Sequence, residues 1–326
     1  MQRLSVIIPQ FNRLDALGVT LAALGRQTLP VDAFEVIVVD DGSRPEQAPA
    51  FAPDTFRYSL RLFRQENGGR GSARNAGAGH ASSDLFVFLD ADVVPAASLL
   101  ETYLGSHQAK RDSVLVGRIL PWEPASLTLF DRITRVEMSY DLGPEPIELV
   151  FYNLLSGNFA IARDGFERLG GFDETLRRTQ DTEFGYRAVR AGLSLQYCPD
   201  AVAYHNHLRS PDKRCADIRE SAAWTARLMR KHPGLIGALP IYQDILPIAM
   251  GQDSLPLVVR KLGRRALALP LSRKTMLLLI HVLEDRWPNP RLLKSLYHKT
   301  MSGYRVEGFR EGWRESATHE ERRTSA

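Results

Sequence analysis

The sequence lacks the features of a membrane-anchored or exported protein. None of its 326 residues lie in a run of the roughly 18 to 20 apolar residues that cross a bilayer. Met1 is followed within three residues by LSVII, which is too short for the apolar core of a signal peptide, so we expect no leader. There are only two cysteines, Cys198 and Cys215, and they form no metal-ligand pattern. A disulfide between them stays open, but a reduced, cytoplasmic protein is the simpler interpretation.

Familiar glycine-rich nucleotide motifs are missing too. Gly69 and Gly71 would need a third glycine at position 74 to complete a dinucleotide-binding fingerprint, and that position is Arg74. A later Gly-x-Gly pair fails in the same way, and no loop ends in Gly-Lys-Ser or Gly-Lys-Thr. These absences disfavour a dehydrogenase or a P-loop enzyme.

An excess of either charge is also missing. The chain has 42 Lys and Arg against 38 Asp and Glu, a formal net charge of +4. This small excess permits an anionic ligand but does not demand nucleic acid, and we expect no nucleic-acid partner. The hydrophobic content of 44% and the charged content of 25% are typical of a globular protein.

Apolar runs alternate with helical patterns in the first third of the chain. Strands are predicted over residues 4–8, 34–39, 58–63 and 86–89, and helices over residues 15–27 and 72–81. Such alternation predicts an α/β fold with a mostly parallel central sheet flanked by helices. Right-handed crossovers would bring the carboxyl ends of the strands to one edge, together with Pro9, Asp41 and the acids at 90 and 92.

The second half alternates less regularly. Residues 126–140 are predicted to form a helix, residues 195–198 and 201–204 two short strands, and the chain from about residue 212 a series of helices. We therefore predict an α/β domain over residues 1–210. A helical C-terminal extension over residues 211–326 would pack on it and end in a polar tail.

The strongest local signal is the apolar run FVFL followed by Asp90 and Asp92. Ligands of open α/β sheets bind beyond the carboxyl ends of the strands. A hard divalent cation prefers carboxylate oxygens and keeps places for substrate phosphates. The ordinary alternative is that the two acids cap a helix predicted over residues 96–109. The pair alone does not separate these roles.

Three other polar residues have both an ordinary and a chemical role. Asp41 could be a turn acid, or could accept the N3–H of a uracil ring. Asp181 could favour a helix start through the helix dipole, or act as a general base. His205 could be structural, or bind a transition metal. With Asp92, a histidine ligand would favour manganese over calcium, with magnesium still open.

Seven sequence blocks follow one another along the chain, each occurring once: SVIIPQFNR, VIVVDDGS, NGGRGSARNAG, FLDADVVP, LSGNFAIARDGFERLGGFDE, QDTEFGYRAVRAG and AVAYHNH. Together they resemble the family 2 nucleotide-sugar glycosyltransferases of GT-A fold, over about residues 3–210. The middle blocks also resemble those of a group of bacterial enzymes that includes chondroitin-type polymerases. In these enzymes the second half is similar to the C-terminal region of galactosyltransferases.

The resemblance implies an inverting, metal-dependent transferase of the hexosyltransferase type. It would move a sugar from a nucleoside-diphosphate sugar, expected to be a UDP-sugar, to a carbohydrate or lipid-linked acceptor in glycan or polysaccharide biosynthesis. The residues implied to bind the nucleotide are Pro9, Phe11, Asp41, Arg70, Arg74, Asp90 and Ala91. Among them, Pro9 and Phe11 would line the uracil pocket and Asp41 would bind the base.

The resemblance also implies a metal site and a catalytic base. Asp92 and His205 would hold Mn²⁺ or Mg²⁺, and Asp181 would be the base. The substrate side would include Gly157, Asn158 and Gln180. Gln180 departs from the family, which has Glu-Asp where this chain has Gln180-Asp181, so an acceptor contact made by that glutamate is in doubt.

Two rival functions are compatible with the predicted fold. A nucleotidyltransferase that makes sugar nucleotides would show a glycine-rich signature ending in lysine near the N-terminus, and residues 5–13 lack it. A non-catalytic sugar- or partner-binding protein on the same fold would not need intact Asp41, Asp92 and Asp181.

A basic amphipathic stretch lies in the C-terminal region, with Arg260, Lys261, Arg264 and Arg265 among leucines and valines. Its ordinary role is a helix packed on the catalytic domain with a solvated basic face. The alternative is peripheral contact with the inner face of the cell membrane, since basic amphipathic helices bind anionic surfaces.

Overall fold

The computed structural model describes residues 4–52, 55–122, 132, 140–206, 210–287 and 289–324, with side chains up to residue 316. These residues form two compact units. The first contains the described residues up to 206 except residue 132, and the second contains residue 132 and those from 210 onward. The helix predicted over residues 126–140 falls almost entirely outside the described residues.

The first unit is built on a sheet with nine strands in the described residues. They are β1 Leu4–Gln10, β2 Phe34–Asp40, β3 Ser59–Arg64, β4 Leu85–Leu89, β5 Val93–Pro95, β6 Ser113–Pro121, β7 Glu148–Leu149, β8 Asn158–Ala162 and β9 Ser194–His205. Their order is β3-β2-β1-β4-β8-β6-β9-β5, and β7 also pairs with β9. Parallel pairing joins β3-β2-β1-β4 and β6-β9, while β8 is antiparallel to β4 and β6. The predicted α/β fold with a mostly parallel sheet is confirmed.

Helices cover both faces of this sheet: α1 Leu14–Leu24, α2 Arg70–His80, α3 Leu99–Ala109, α4 Arg163–Arg168 and α5 Gln180–Arg190. Every residue of β1 and β2 is buried, because a strand covered on both faces is apolar throughout. Alternate residues enter two cores, so Val6 packs in the core that contains Leu17 of α1, while Ile7 packs in the core that contains Ala73 of α2. A Cβ at Gly77 would lie 2.5 Å from Ile7 Cγ2, which explains why α2 has a glycine where it packs on β1.

Two strand predictions needed correction. We expected Pro9 to end the first strand, but β1 continues to Gln10. Because β4 pairs with β1 only at Ser5 to Ile7, Pro9 has a strand neighbour on one side and its missing N–H is tolerated. The two short strands predicted after residue 194 form one strand, β9, with a register shift opposite Gly117 and Arg118.

The second unit consists mainly of the helices α6 Pro211–Lys231, α7 Leu255–Leu267, α8 Pro270–Arg286 and α9 Pro290–Thr324. Helices α6 and α9 approach closely, since a Cβ at Gly308 would collide with the backbone carbonyl of Arg219. The same arginine forms an ion pair with Glu311 of α9 at 2.5 Å. The described part of the predicted polar tail continues α9 as far as Thr324.

No single helix in the described residues is long and apolar enough to cross a membrane. Taken together, α7 and α8 pass the length and composition test, but they meet at a bend of 69°.

Candidate active site at the carboxyl edge of the sheet

The predicted nucleotide residues lie where β1, β2 and β4 end. Pro9 is opposite Val39 in the β1–β2 register, and Phe11, which follows β1, is 47% exposed. The Asp41 N–H donates to the carbonyl of Gln10 at 2.8 Å, which joins the ends of β1 and β2. An exposed aromatic ring beside a buried carboxylate is suited to a flat base with one N–H donor.

The turn after β1 is fixed by a polar network. Asn12 has a φ of +53°, a left-handed conformation that asparagine tolerates better than most residues. Its backbone N–H donates to Ser43 Oγ at 2.8 Å, and its side-chain oxygen accepts from the Arg44 N–H at 2.9 Å. The loops after β1 and β2 are therefore tied together beside Phe11.

Asp41 anchors the loop that leads into α2. Its Oδ1 accepts from the Gly68 N–H at 2.8 Å and from Gln65 Nε2 at 2.9 Å, while Oδ2 accepts from the Gly69 N–H at 2.9 Å. A carboxylate has about four lone-pair sites, so these bonds leave acceptor capacity on Oδ2. Asp41 therefore has an evident structural role and can still accept one further donor.

Arg74 is buried at the site and forms an ion pair with Asp90. It is only 1% exposed, its Nη2 donates to Asp90 Oδ1 at 2.6 Å, and its guanidinium lies 5.4 Å from the Phe172 ring centre. Burial lowers the pKa of Arg74, and the charges of Asp90 and Asp181 oppose this effect. Its buried Nε has no hydrogen-bond partner within the described part of the chain.

The two carboxylates near Arg74 have opposite pKa shifts. Burial raises the pKa of Asp90, but Arg74, Arg70 and His205 outweigh it and leave the pKa below its ordinary value. Burial also raises the pKa of Asp181, and the Thr182 N–H at 2.9 Å and Arg74 only partly offset that rise. One acid is thus held ionised while the other has raised basicity, a separation typical of sites with divided acid–base roles.

Asp92 and His205 are brought together where β5 pairs with β9. His205 ends β9 and pairs with Val93, which brings its Nε2 to 3.8 Å from Asp92 Oδ2. Arg13 Nη1 donates to the same Asp92 oxygen at 2.8 Å. The backbone segments of these two residues are also joined, because the Asn206 N–H donates to the Asp92 carbonyl at 2.8 Å.

This donor set fits a divalent cation held jointly with substrate. No group of three or more histidine, cysteine, aspartate or glutamate side chains gathers for a metal in the described ranges. Asp92 and His205 supply one oxygen and one nitrogen, and Mg²⁺-type sites commonly complete their coordination with phosphate oxygens and water. The Arg13 guanidinium already neutralises Asp92, so a cation would compete with it.

Three other predicted residues differ in what they can contact. A Cβ at Gly157 would lie 3.2 Å from Asp90 Oδ2, so glycine leaves space beside that carboxylate. Gln180 is buried, donates to the Leu176 carbonyl and packs against Gly71. The methyl group of Ala91 is also buried in the core, which leaves only its backbone for a nucleotide contact.

Asn158 does not lie where we expected it. We predicted that it faces a substrate, but its side chain is fully buried. Its Nδ2 donates to the carbonyls of Arg118 and Ala201, at 3.2 and 3.1 Å, and its Oδ1 accepts from the Tyr103 hydroxyl at 2.9 Å. All of these partners are protein groups beside the register shift of β6 and β9, so the amide stabilises that irregularity.

Sequence reasoning missed Arg13 and the loop residues that hold Asp41. Arg13 closes the first block, SVIIPQFNR, and its only sequence signal was a basic residue two positions after Phe11. The Gly68 and Gly69 amides carry no side-chain signal at all. Their spacing before α2 could have indicated backbone donors, which commonly bind carboxylates at helix starts.

Sequence comparison identifies the family. The family model described as "Glycosyl transferase family 2" matches residues 5–170. The chain belongs to glycosyl transferase family 2. It is 27% identical over 267 residues to a validoxylamine A glucosyltransferase of Streptomyces hygroscopicus subsp. jinggangensis, covering 72% of this chain and 62% of that protein. It is 29% identical over 282 residues to a hyaluronan synthase of Pasteurella multocida, covering 75% and 28%. The chain thus spans less than two thirds of these relatives.

Solved structures of glycosyltransferases share the fold. The mannosyltransferase PcManGT of Pyrobaculum calidifontis, in complex with GDP-Man and Mn²⁺, matches with a TM-score of 0.57 and 20% identity, covering 94% of this chain and 86% of that one. TarS residues 1–349 of S. aureus, in complex with UDP, matches with a TM-score of 0.50 and 19% identity, covering 94% and 90%. The predicted GT-A fold of this family 2 glycosyltransferase is confirmed.

Proposed function

We propose that this family 2 glycosyltransferase moves a sugar from a nucleoside-diphosphate sugar, with a UDP-sugar as the first candidate, to an acceptor hydroxyl with inversion of the anomeric centre. The observation that carries the proposal is the contact of buried Arg74 with Asp90 at 2.6 Å, with Asp181 near enough to act on the pKa of Arg74, and with His205 Nε2 at 3.8 Å from Asp92 Oδ2. Relatives described as hyaluronan and chondroitin synthases support a carbohydrate acceptor in polysaccharide synthesis. A lipid-linked acceptor is the alternative.

Donor binding would use the edge formed by β1 and β2. Phe11 would contact the base, while Pro9 shapes the end of β1. The free acceptor capacity of Asp41 Oδ2 would take the base N–H. Arg70, at the exposed start of α2, would approach the diphosphate, where a helix N-terminus also favours negative charge.

Asp92 and His205 would hold Mn²⁺ or Mg²⁺, and a metal bound there would supply Lewis-acid stabilisation of the leaving diphosphate. The bound GDP-Man and Mn²⁺ of PcManGT support this choice. Asp90, kept ionised by Arg74 and Arg70, would accept from the ribose or from a metal-bound water.

Asp181 would remove the proton from the attacking hydroxyl. Burial raises its pKa, and a carboxylate with a raised pKa is a stronger base near neutral pH. Direct attack assisted by one base, without a covalent intermediate on the protein, inverts the anomeric centre. Base catalysis of this kind contributes about 10²- to 10⁴-fold to the rate.

The test combines binding with turnover. A thermal-shift panel of nucleoside diphosphates and their sugars, with Mn²⁺, with Mg²⁺ and with a chelator, should show a metal-dependent rise in Tm for one nucleotide, since ligands that bind the folded state stabilise it. Donor hydrolysis and transfer to sugar acceptors are then followed by NMR, which reports the anomeric configuration. A retained configuration, or full activity in chelator, would refute the inverting or the metal-dependent part.

The same assays, extended to nucleoside triphosphates with sugar phosphates, separate the rival functions. A nucleotidyltransferase would release pyrophosphate from a nucleoside triphosphate and a sugar phosphate. A non-catalytic binding protein would show a thermal shift without turnover of any donor. Asp181→Asn should lose transfer while keeping the nucleotide-dependent shift, and Asp15→Asn, which changes an acid outside the cluster in α1, should lose neither.

A further inference from the structure

The helices α7 and α8 expose apolar side chains along one face each. In α7 the exposed positions Leu255, Val259 and Leu262 follow the spacing of a single helical face. In α8 the exposed positions Leu271, Leu278 and Val282 do the same. Leu255 is 77% exposed and Leu271 is 78% exposed. A group of exposed apolar side chains, unlike a single one, indicates an interaction surface. These six residues, three on each of two helices that meet at a bend of 69°, are together called the α7–α8 face below.

The sequence around the α7–α8 face is basic overall, although Asp253 precedes α7 and Glu284 and Asp285 lie near the end of α8. Residues 254–283 contain no aspartate or glutamate and six basic residues: Arg260, Lys261, Arg264, Arg265, Arg273 and Lys274. Three of the six pair with acids elsewhere in the second unit: Lys261 with Asp253, Arg264 with Asp244, and Arg273 with Glu307.

The other three, Arg260, Arg265 and Lys274, have no ion-pair partner in the residues that the structure describes. Lys274 lies between Leu271 and Leu278 at helical i+3 and i+4 spacing, so its charge sits within the apolar face. The two helices therefore expose apolar side chains together with basic side chains that have no ion-pair partner in the described part of the chain.

We propose that the α7–α8 face docks on an anionic lipid bilayer, with both helices lying in the interface. A surface of leucine and valine with lysine and arginine beside it is the chemistry that binds such membranes. Crossing the bilayer is disfavoured, because the two helices meet at 69° and carry charges that are costly in its core. A second copy on the same face would bring the unpaired cations of both copies together.

The proposal concerns the second unit and does not depend on the transferase chemistry. A cytoplasmic protein held in this way would lie on the inner face of the cell membrane, where anionic lipids attract basic segments. Any acceptor carried by a lipid would then be on the surface to which the chain is bound.

The test is co-sedimentation of the full chain with vesicles of phosphatidylcholine alone and of phosphatidylcholine mixed with phosphatidylglycerol, at low and high salt. We expect binding to the anionic vesicles that weakens at high salt. Arg260→Gln with Lys274→Gln should weaken it about 25-fold, at about fivefold for each basic residue near the surface. Leu262→Ser with Leu278→Ser should weaken binding in both salts.

Matched controls use an exposed arginine and an exposed apolar residue in the first unit. Arg26→Gln and Val31→Ser should leave vesicle binding unchanged. All variants should keep the wild-type Tm and the activity of the wild type towards a soluble acceptor, which keeps this test separate from the proposed chemistry. Absence of binding to anionic vesicles by the folded chain would overturn the proposal. So would a dimer, detected by sedimentation, that Leu262→Ser with Leu278→Ser dissociates, because a second copy would then cover the face.

Discussion

Replacing Arg13 by glutamine tests whether a protein cation competes with the metal at Asp92. Arg13 Nη1 donates to Asp92 Oδ2 at 2.8 Å, and that same oxygen lies 3.8 Å from His205 Nε2. A divalent cation placed between the carboxylate and the imidazole must weaken or replace this ion pair. Removing the guanidinium should therefore increase the affinity of the nucleotide-free protein for Mn²⁺.

The size of the effect follows from the exposure of the pair. The side chain of Arg13 is 29% exposed and that of Asp92 is 9% exposed, so the pair is neither fully solvated nor fully buried. Exposed ion pairs contribute about 0.2 to 1 kcal/mol, and hydrogen bonds to charged groups about 1.5 to 3 kcal/mol. A value of about 1 kcal/mol, at 1.4 kcal/mol per factor of ten, corresponds to about fivefold tighter Mn²⁺ binding.

The assay is titration with Mn²⁺ followed by the electron paramagnetic resonance signal of the free ion, without nucleotide. Arg13→Lys should stay close to the wild type because it keeps the charge. Arg44→Gln, which removes a charge on the neighbouring loop with no contact to Asp92, should change little. In the wild type, a metal bound at Asp92 would release the Arg13 guanidinium, which could then approach the diphosphate of UDP. Arg13→Gln lacks this group, so it should bind UDP more weakly when Mn²⁺ is present. Unchanged or weaker Mn²⁺ binding in Arg13→Gln would refute the competition.

Three other variants probe the site and its support. Asp181→Asn should lower transfer about 10²- to 10⁴-fold. It should also raise Tm at pH 7. The raised pKa of Asp181 means that ionising its buried carboxyl destabilises the folded state, and asparagine removes that cost. This gain in Tm should shrink as the pH falls towards 3.8, the ordinary pKa of an aspartate, because the carboxyl is then protonated in the folded protein. Asn158→Leu leaves the Tyr103 hydroxyl and two backbone carbonyls without this partner, and should lower the free energy of unfolding by about 2 to 4 kcal/mol in urea titrations. Asp41→Asn turns an amide NH₂ towards a backbone N–H, and should cost about 1 to 3 kcal/mol and weaken UDP binding measured by calorimetry.

Each of these has a control and a contrary result. Tyr103→Phe removes one bond to Asn158 and should cost about 1 kcal/mol; a larger loss than in Asn158→Leu would argue against the proposed support of the strand irregularity. Gln65→Ala removes one donor to Asp41 and should act in the same direction as Asp41→Asn but more weakly. An Asp181→Asn protein with wild-type transfer would exclude Asp181 as the base.

The α/β fold and most of its elements were predictable because the signals are local. Strands buried on both faces, such as β1 and β2, are continuous apolar runs, and a helix with one buried face repeats its apolar residues at helical spacing. The two wrong strand predictions occurred where the pairing of a neighbouring strand determines the strand boundary. Pro9 stays in its strand because β4 does not pair there, and β9 is one strand because β6 accommodates its register shift.

The candidate site was predictable in part for the same reason. The ends of parallel strands meet at one edge, so acids that follow β2 and β4 were expected to be neighbours. The sequence could not show that Arg74 would be buried beside Asp90, or that Asn158 would turn into the core. Burial and partner choice depend on residues far away in the chain, as with Arg13 and Asp92, which are 79 positions apart.

By itself, then, the sequence determined the order of strands and helices, the edge at which the polar residues gather, and the family. Only the tertiary structure decided which carboxylate is paired, which is left with raised basicity and which amide is structural. Periodicity and strand direction are properties of short segments, whereas charge pairing and desolvation exist only after distant segments have packed together.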